Sequence, residues 1–337
     1  MLTDFISLLG GMMLLVLAGD VMVRGAVGIA EALGIPAIII GLTVVAFGTS
    51  APELFISLKA VFGNASGIAI GNVVGSNVAN VLLILGIPSL IAVTSCDEPG
   101  ALRSAFFMMG VTVIFAILCA TGELNLAAGG ILLSLLAFFI ADTARTVLSA
   151  RKSRKDGLET PDDEEDYDDP ALDLMEDVDG VPSNNLVAIL FLVGGMIGLP
   201  AGAHFTIDGA VNLARDWGVS EAAIGLTIIA LGTSLPELTT TVMAAIRGQG
   251  AVAIGNVIGS NIFNILAIMG ITAVIVPVEI PQEILVFDIW AMLMSTALLL
   301  VFTIYKLQIT RPLGITFIVF YISYIYLVFQ TGASIGA

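Results

Sequence analysis

The sequence GLTVVAFGTSAPELFISLKAVFGNASGIAIGNVVGSNVANVLLILG, residues 41–86, returns without a gap as GLTIIALGTSLPELTTTVMAAIRGQGAVAIGNVIGSNIFNILAIMG, residues 225–270. The offset is 184 residues (237 − 53), so Glu53 in the first copy corresponds to Glu237 in the second. Both acids lie in segments that are otherwise too apolar for a soluble protein. Two buried acids related by a repeat predict one shared cation site.

The composition is that of a polytopic membrane protein. Of the 337 residues, 58% are hydrophobic and only 12% are charged. So much apolar surface cannot be buried in one water-soluble core. The first apolar run carries Asp4 where a signal peptide would have Lys or Arg, and we interpret it as a retained span. Cys96 and Cys119 form no motif, so neither a disulfide framework nor a thiolate metal site is predicted.

The formal net charge of −16 is concentrated in one short stretch. Residues 156–179 hold 13 of the 28 acids, which leaves 15 acids against 12 bases elsewhere. This composition predicts a solvated, disordered linker, and the Gly-centred spacing of an EF-hand is missing from it. We therefore divide the chain into a first repeat over residues 1–150, an acidic linker over 151–183 and a second repeat over 184–337.

The predicted fold is an all-α polytopic membrane protein of ten transmembrane helices, five on each side of the linker. The predicted spans are 3–31, 36–60, 67–93, 102–121, 125–148, 185–213, 220–246, 251–277, 283–305 and 312–331. Because five is odd, the second half enters the membrane upside down relative to the first. The fold is therefore predicted to consist of two inverted five-helix repeats, with broken helices at the midplane of the membrane.

The positive-inside rule predicts the orientation in the plasma membrane. Strict alternation of the loops puts Lys59 and Arg215 on the face of the termini, while Arg24 lies within the first span. The opposite face receives Arg103, Arg145, Arg151, Lys152, Arg154, Lys155, Arg247, Lys306 and Arg311. Both termini are thus predicted to lie outside, and the acidic linker in the cytoplasm.

Each GTSxPE motif predicts a broken helix beside a cation. Pro52 has no N–H for the carbonyl of Gly48, and its ring crowds that carbonyl. Backbone that is unwound within a membrane normally lines a cavity and binds something positive. The hydroxyls of Thr49 and Ser50 can converge with the carboxylate of Glu53, and the second copy repeats this set as Thr233, Ser234 and Glu237. Such all-oxygen ligands suit hard cations such as Na⁺ or Ca²⁺.

Neither glutamate has an obvious counter-charge. No Lys or Arg lies in the central part of their spans, and two unpaired carboxylates would together cost on the order of 5 to 7 kcal/mol in a membrane. A bound cation or protonation must therefore neutralise them.

The GSN segments add a second set of oxygens. Ser76 and Asn80 are spaced i, i+4 on one helix face, as are Ser260 and Asn264 in the second copy. Either set can complete a shared coordination shell. For four further amides, a ligand role and a role in helix packing both remain open: Asn72, Asn77, Asn256 and Asn261.

Two further pairs of polar residues lie in the first and sixth spans. Asp20 and Arg24 align with His204 and Asp208, and both pairs are spaced i, i+4. We interpret them as compensating pairs that hold the orientation of these spans. The alternative is a proton relay, for which His204 is the best candidate.

At these motifs the chain resembles the cation/Ca²⁺ exchanger superfamily and, within it, the prokaryotic sodium/calcium exchangers, whose paired repeats carry GTSxPE and GSNxx(N/D). The resemblance covers both repeats and the ten-span layout. It implies that Glu53 and Glu237 are the central Ca²⁺ ligands, joined by backbone oxygens at Thr49 and Thr233. It also implies Na⁺ sites built from Ser50, Ser76, Ser234, Ser260, the carbonyls of Ala46 and Ala230, and Asn80 and Asn264 in the middle. Members of the family often have Asp at one of these last two positions, and Asn at both disfavours K⁺ cotransport.

The predicted function is a secondary antiporter, not an enzyme, that exchanges Na⁺ for Ca²⁺ by alternating access in the direction of Ca²⁺ efflux. The predicted partners are the two transported ions and the lipid bilayer, without a cofactor, a nucleic acid or an obligate protein partner. The main alternative is an exchanger of H⁺ for Ca²⁺ or another divalent cation. An intramembrane serine hydrolase fits poorly, because no motif connects His204 to Ser50 or Ser234. A passive channel fits broken helices in inverted repeats less well.

Overall fold

The computed structural model describes residues 1–63, 65–156, 180–182, 184–217 and 230–335. The helices of the first half are α1 (Leu2–Leu33), α2 (Ala37–Ile40), π1 (Gly41–Val45), α3 (Ala46–Thr49), α4 (Ala51–Phe62), α5 (Ser66–Leu82), α6 (Gly86–Ile91), α7 (Ala101–Cys119) and α8 (Leu126–Asp156). Those of the second half are α9 (Asn185–Asp216), α10 (Ala230–Gly232), α11 (Leu235–Ile246), α12 (Gly250–Phe263), π2 (Asn264–Met269), α13 (Gly270–Ile275), π3 (Ile284–Asp288), α14 (Ile289–Ile304) and α15 (Arg311–Ile335).

The described helices make an all-helical polytopic fold. Within these residues, eight helices are long and apolar enough to cross a membrane, and a bent pair, Ala37–Thr49 with Ala51–Phe62, makes a ninth. Of the predicted seventh span, residues 220–229 lie outside the described ranges, so the ten-span layout stays a prediction. The acidic stretch over residues 157–179 also lies outside them. Helix α8 continues to Asp156, whereas the linker is predicted to begin at residue 151.

The first helix and the first helix after the linker, α1 and α9, pack along each other as an antiparallel pair. A Cβ atom added to Gly11 would lie 2.5 Å from the backbone N of Thr206, and one added to Gly25 would lie 2.5 Å from the backbone N of Leu192. The contacting residue number falls on α9 as it rises on α1, which gives the antiparallel direction. Glycine is required at these positions because the two backbones touch.

These contacts recur when the two halves are exchanged. A Cβ atom added to Gly195 would lie 2.4 Å from Cβ of Met22, and one added to Gly209 would lie 2.5 Å from the backbone N of Leu8. Gly195 and Gly209 follow Gly11 and Gly25 by 184 residues (195 − 11 and 209 − 25). The helix pair therefore maps onto itself under a pseudo-two-fold exchange.

Four two-residue strands depart from the predicted all-α fold. Strand β1 (Thr94–Ser95) pairs antiparallel with β4 (Gln308–Ile309), and β2 (Glu123–Leu124) pairs antiparallel with β3 (Val278–Glu279). Each ladder joins loops of opposite halves, so the strands satisfy backbone groups that isolated loops would leave without partners. Exchange of the halves converts one ladder into the other to within one residue.

Both GTSxPE motifs break their helices, as predicted from the prolines. Helix α3 ends at Thr49, Ser50 leaves helical geometry with φ −82° and ψ 4°, and α4 begins at Ala51. The two segments are bent by 42°. Ser234 separates α10 from α11 with φ −88° and ψ 6°. Each proline lies in the first turn of the new helix, where its missing N–H needs no partner.

The spans that contain α5 and α12 form the centre of the molecule. In their apolar windows 72% and 83% of residues are buried, against 22–33% in the other six long spans. Helix α12 approaches π1 closely, because a Cβ atom on Gly259 would lie 2.5 Å from the carbonyl oxygen of Leu42. The GSN segments therefore lie at the centre, and the remaining helices have the exposed apolar faces that a lipid environment covers.

Candidate cation site

The two repeated glutamates are buried in the first turns of α4 and α11. Glu53 and Glu237 are each only 1% exposed. Their carboxylates lie close enough together for mutual repulsion. Among the described residues, the Oε2 atom of each carboxylate has no hydrogen-bond partner. Two adjacent buried carboxylates with free oxygens fit a cation, because an unpaired charge at this depth is costly.

The hydroxyls next to Glu53 reach the opposite repeat. Ser50 Oγ donates to Glu237 Oε1 at 3.1 Å. Thr49 Oγ1 donates to Asn256 Oδ1 at 3.2 Å and lies 3.4 Å from Ser260 Oγ. The predicted convergence within one motif is therefore a convergence between the two motifs. Oxygen atoms of both halves form one buried cluster.

Asn72 and Asn256 connect each GSN helix to the backbone of the helix that bears a glutamate. Asn72 Nδ2 donates to the carbonyl oxygen of Glu53 at 3.3 Å and to Ser57 Oγ at 3.0 Å. In the second half, Asn256 Nδ2 donates to the carbonyl oxygen of Glu237 at 3.3 Å and to Thr241 Oγ1 at 3.0 Å. These bonds support the position of each glutamate.

The sequence analysis missed the two hydroxyls that accept these bonds. Ser57 and Thr241 are related by the same offset, since 241 − 57 is 184. Each follows its glutamate by four residues and is fully buried. The recurrence of a hydroxyl at one offset was the signal that could have found them.

Four buried amides occupy the crossing of α5 with α12 and π2. Asn264 Nδ2 donates to Asn77 Oδ1 at 3.0 Å, and Asn77 Nδ2 donates to the carbonyl oxygen of Asn261 at 3.3 Å. Asn80 is 1% exposed, and neither its Oδ1 nor its Nδ2 has a partner among the described residues. Asn264 begins π2, a wider helical turn that packs against α4 and α5.

The other predicted ligands lie around this cluster. Ser76 is 6% exposed, and both Thr233 and Ser234 are 4% exposed. The carbonyl oxygen of Ala46 accepts bonds from the backbone N of Ser50 at 3.0 Å and from Thr49 Oγ1 at 3.3 Å, so both lone pairs are engaged. Ala230 is the first residue of α10.

The predicted pairs on α1 and α9 form, and one of them has an additional member. Arg24 donates to Asp20, and Arg247, which follows α11, donates to the other carboxylate oxygen of Asp20. His204 Nε2 lies 3.4 Å from Asp208 Oδ2, and His204 is 69% exposed. The histidine is therefore not part of the buried cation cluster. The contact with Arg247 joins helices remote in sequence, so helical spacing alone could not indicate it.

A family model for the sodium/calcium exchanger protein matches residues 3–142 and 187–330. The chain is 31% identical over 349 residues to the sodium/calcium exchanger MaX1 of Methanosarcina acetivorans, covering 97% of this chain and 98% of that protein. It is 35% identical over 273 residues to the inner membrane protein YrbG of Escherichia coli, covering 81% and 80%. A solved structure of the sodium-calcium exchanger NCX_Mj, soaked with 2.5 mM Na⁺ and 0.1 mM Ca²⁺, matches with a TM-score of 0.78 at 27% identity, covering 96% of this chain and 97% of that one.

Proposed function

Because this chain belongs to the sodium/calcium exchanger protein family, we propose that it exchanges Na⁺ for Ca²⁺ across the plasma membrane by alternating access. It is a multi-pass membrane transporter and not an enzyme. Glu53 and Glu237 carry the proposal, since each is buried and each keeps one carboxylate oxygen without a partner among the described residues. Two such carboxylates can neutralise one Ca²⁺ or hold several Na⁺ ions that share the same oxygens.

Competition for shared oxygens supplies the coupling. Ca²⁺ prefers six to eight oxygen ligands, and the two carboxylates provide its two compensating charges. Na⁺ ions that occupy the same hydroxyl, amide and carbonyl oxygens exclude Ca²⁺. The proposed ligands are the carboxylates of Glu53 and Glu237 with Thr49, Thr233, Ser50, Ser234, Ser76, Ser260, Asn80, Asn264, Ala46 and Ala230. Asn72 and Asn256 support the glutamate-bearing helices from outside this set.

Alternating access is proposed to operate through two inverted five-span repeats. The antiparallel packing of α1 with α9 and the exchange of strands between the two ladders support this arrangement. Broken helices with acids in their first turns, placed between inverted halves, are typical of transporters that rock around a central site. The orientation with both termini outside and the acidic stretch in the cytoplasm is part of the same proposal.

The direction is proposed to be Ca²⁺ efflux. If the charges moved in one cycle do not cancel, the membrane potential contributes about 2.3 kcal/mol per charge for every 100 mV. A negative cell interior and a low interior Na⁺ concentration would then both drive Ca²⁺ outward. Asp20, Arg24 and Arg247 form an ion cluster that we assign to holding α1 against α11, rather than to proton transfer.

A gradient experiment tests the coupling ion. Proteoliposomes loaded with Na⁺ should take up radioactive Ca²⁺ when diluted into Na⁺-free buffer at equal pH on both sides. A K⁺ gradient or a pH gradient of the same size should drive little uptake, because neither ion replaces Na⁺ at the shared oxygens. The measurement is the initial rate of uptake, with empty liposomes as the control.

The same assay separates the alternative. Glu53 and Glu237 could bind protons in place of Na⁺, which would make the protein a H⁺/Ca²⁺ exchanger. Uptake that follows only the pH gradient would overturn Na⁺ coupling and establish this alternative. Uptake without any opposing gradient, at a rate proportional to Ca²⁺ alone, would indicate a passive channel.

Deletion of Asp162 to Asp177 is expected to leave exchange within about twofold of the full chain, since the proposed ligands all lie outside this stretch. Initial rates of Na⁺-driven Ca²⁺ uptake, normalised to the amount of inserted protein, would measure the effect. Loss of exchange by a deletion variant that inserts normally would show that the acidic stretch acts in transport or its regulation.

A further inference from the structure

The amide of Asn77 is held in one orientation by the backbone of the other repeat. Its Nδ2 atom donates to the carbonyl oxygen of Asn261 at 3.3 Å and lies 3.8 Å from the sulfur of Met292. A flipped amide would place two carbonyl-type oxygens, Asn77 Oδ1 and the Asn261 oxygen, against each other. Such a contact is repulsive, and in a buried place it is also unsatisfied. Asn77 must therefore present its Oδ1 atom to the next neighbour.

That neighbour is the amide of Asn264. Only its Nδ2 atom can donate to Asn77 Oδ1, and the two atoms lie 3.0 Å apart. The amide of Asn264 is thereby turned so that its Oδ1 atom points away from Asn77. This Oδ1 atom is buried and has no partner among the described residues. A free amide oxygen on a residue that is 1% exposed is a ligand without its cation.

The two-fold equivalent of this bond is absent from the described residues. Asn80 corresponds to Asn264 and Asn261 to Asn77, because both pairs differ by 184 residues. The equivalent bond would run from Asn80 Nδ2 to Asn261 Oδ1, and both atoms are buried without a partner. Asn261 instead donates its Nδ2 atom to the carbonyl oxygen of Val257, one turn earlier in α12, at 2.8 Å. One of two equivalent bonds is thus made, and the atoms of the other are ready for it.

We propose that Asn77 and Asn261 are positioning residues, each of which turns the amide of the other repeat into an oxygen ligand for the transported cation. Asn77 turns Asn264 in the conformation described here, and Asn261 turns Asn80 when the two halves have exchanged their conformations. This inference rests on the proposed function, because it assigns the cation to the site between Glu53 and Glu237.

The need for such positioning follows from the chemistry of the amide. A carboxylate presents an oxygen to a cation from either side, whereas an amide presents an oxygen from one side and two N–H groups from the other. An unheld Asn264 would lose part of its cation affinity to the flipped orientation. Asn77 removes that orientation at the cost of one hydrogen bond, so its effect must disappear when residue 264 is a carboxylate.

The test is a double-mutant cycle on Ca²⁺ affinity. Asn77→Ala is expected to raise the apparent KM for Ca²⁺ about fivefold, the shift produced by one hydrogen bond of about 1 kcal/mol, with the maximal rate retained. In an Asn264→Asp background, Asn77→Ala is expected to change KM no further. In an Asn80→Asp background it is expected to keep its full effect, since Asn77 does not hold Asn80.

Two results would overturn the proposal. An unchanged KM in Asn77→Ala would show that Asn77 does not orient Asn264. The same increase in the Asn264→Asp background would show that Asn77 acts only through packing of α5 on α12. If Asn77→Ala is not recovered as folded protein, Asn77→Ser replaces it, because serine keeps a small polar group at the crossing but is too short to reach the Asn264 amide. The same two outcomes then decide.

The equivalent cycle tests the exchange of roles. Asn261→Ala is expected to raise KM for Ca²⁺ on the opposite membrane face, and Asn80→Asp rather than Asn264→Asp should cancel this effect. Rescue by Asn264→Asp would contradict the exchange. All rates are measured with whichever cation gradient drives Ca²⁺ uptake in the unmodified protein. A failure of Na⁺ coupling would therefore overturn the proposed function and leave the result on Asn77 readable.

Discussion

Replacement of Glu53 or Glu237 by glutamine is expected to abolish Ca²⁺ exchange. Either change removes one of two charges that compensate Ca²⁺ in a buried site. Loss of one partner from a buried charge pair costs about 3 kcal/mol or more, which is on the order of a hundredfold in apparent affinity. The measurement is Na⁺-driven Ca²⁺ uptake into proteoliposomes, normalised to the inserted protein. Appreciable exchange by either variant would refute the shared site.

The same substitutions are expected to change thermal stability in the opposite sense. Without cations, the two carboxylates repel each other, and one buried charge costs about 2.5 to 3.5 kcal/mol. Glu53→Gln should therefore melt at a higher temperature than the unmodified protein in a chelator. Added Ca²⁺ at a hundred times its Kd should stabilise the unmodified protein by about 2.7 kcal/mol and should not stabilise the variant.

Glu123→Gln and Glu279→Gln are matched controls. These glutamates face each other across the β2–β3 ladder and are exposed, unlike Glu53 and Glu237. The chemical change is identical, but exposed charges are hydrated and contribute little. Uptake and melting temperature should both stay close to those of the unmodified chain. A comparable loss in these controls would indicate that net charge at the surface, and not the buried site, governs transport.

Gly195→Leu is expected to disrupt folding and to eliminate exchange. A Cβ atom at this position would lie 2.4 Å from Cβ and 2.8 Å from Cα of Met22, so α9 and α1 would have to separate. Overpacking of this kind costs about 1 to 3 kcal/mol where neighbours can yield, and a backbone neighbour cannot. The yield of monodisperse protein, its melting temperature and its Ca²⁺ uptake should all fall.

The chain provides an adjacent control. Gly194 is exposed, and a Cβ atom there would meet none of the described residues within 4 Å. Gly194→Leu should therefore leave yield and uptake nearly unchanged. Gly10 and Gly11 are the equivalent pair on α1, so Gly11→Leu should be damaging and Gly10→Leu should be tolerated. Equal damage from both members of a pair would show that general loss of helix flexibility, rather than contact between α1 and α9, is responsible.

The parts of the fold that depend on local chemistry could be predicted from the sequence. The helix break follows from the missing N–H of Pro52 and Pro236, and the structure confirms it at Ser50 and Ser234. The ion pair of Asp20 with Arg24 follows from helical spacing. The repeat offset brings equivalent side chains into equivalent surroundings, as it does for Asn72 and Asn256.

The contacts that depend on the approach of distant segments could not be predicted. The bond from Ser50 to Glu237 crosses the two halves, and no local pattern specifies how far each broken helix is inserted. The β ladders satisfy loop backbone groups, and loop sequences of two residues carry no strand signal. The wide turn that starts at Asn264 depends on how α4 packs against it, which helical propensity does not encode.

The pairing of α1 with α9 relates the two halves as subunits of a two-fold dimer are related. In such an isologous interface, residue i of one subunit contacts residue j of the other, and j contacts i in return. Here Gly11 contacts Thr206, and the shifted pair, Gly195 and Met22, makes the same contact. Neither half alone covers its glycine face, completes a ladder or supplies both acids. The covalent connection between them therefore fixes a one-to-one ratio of two subunits that would otherwise have to find each other within the membrane.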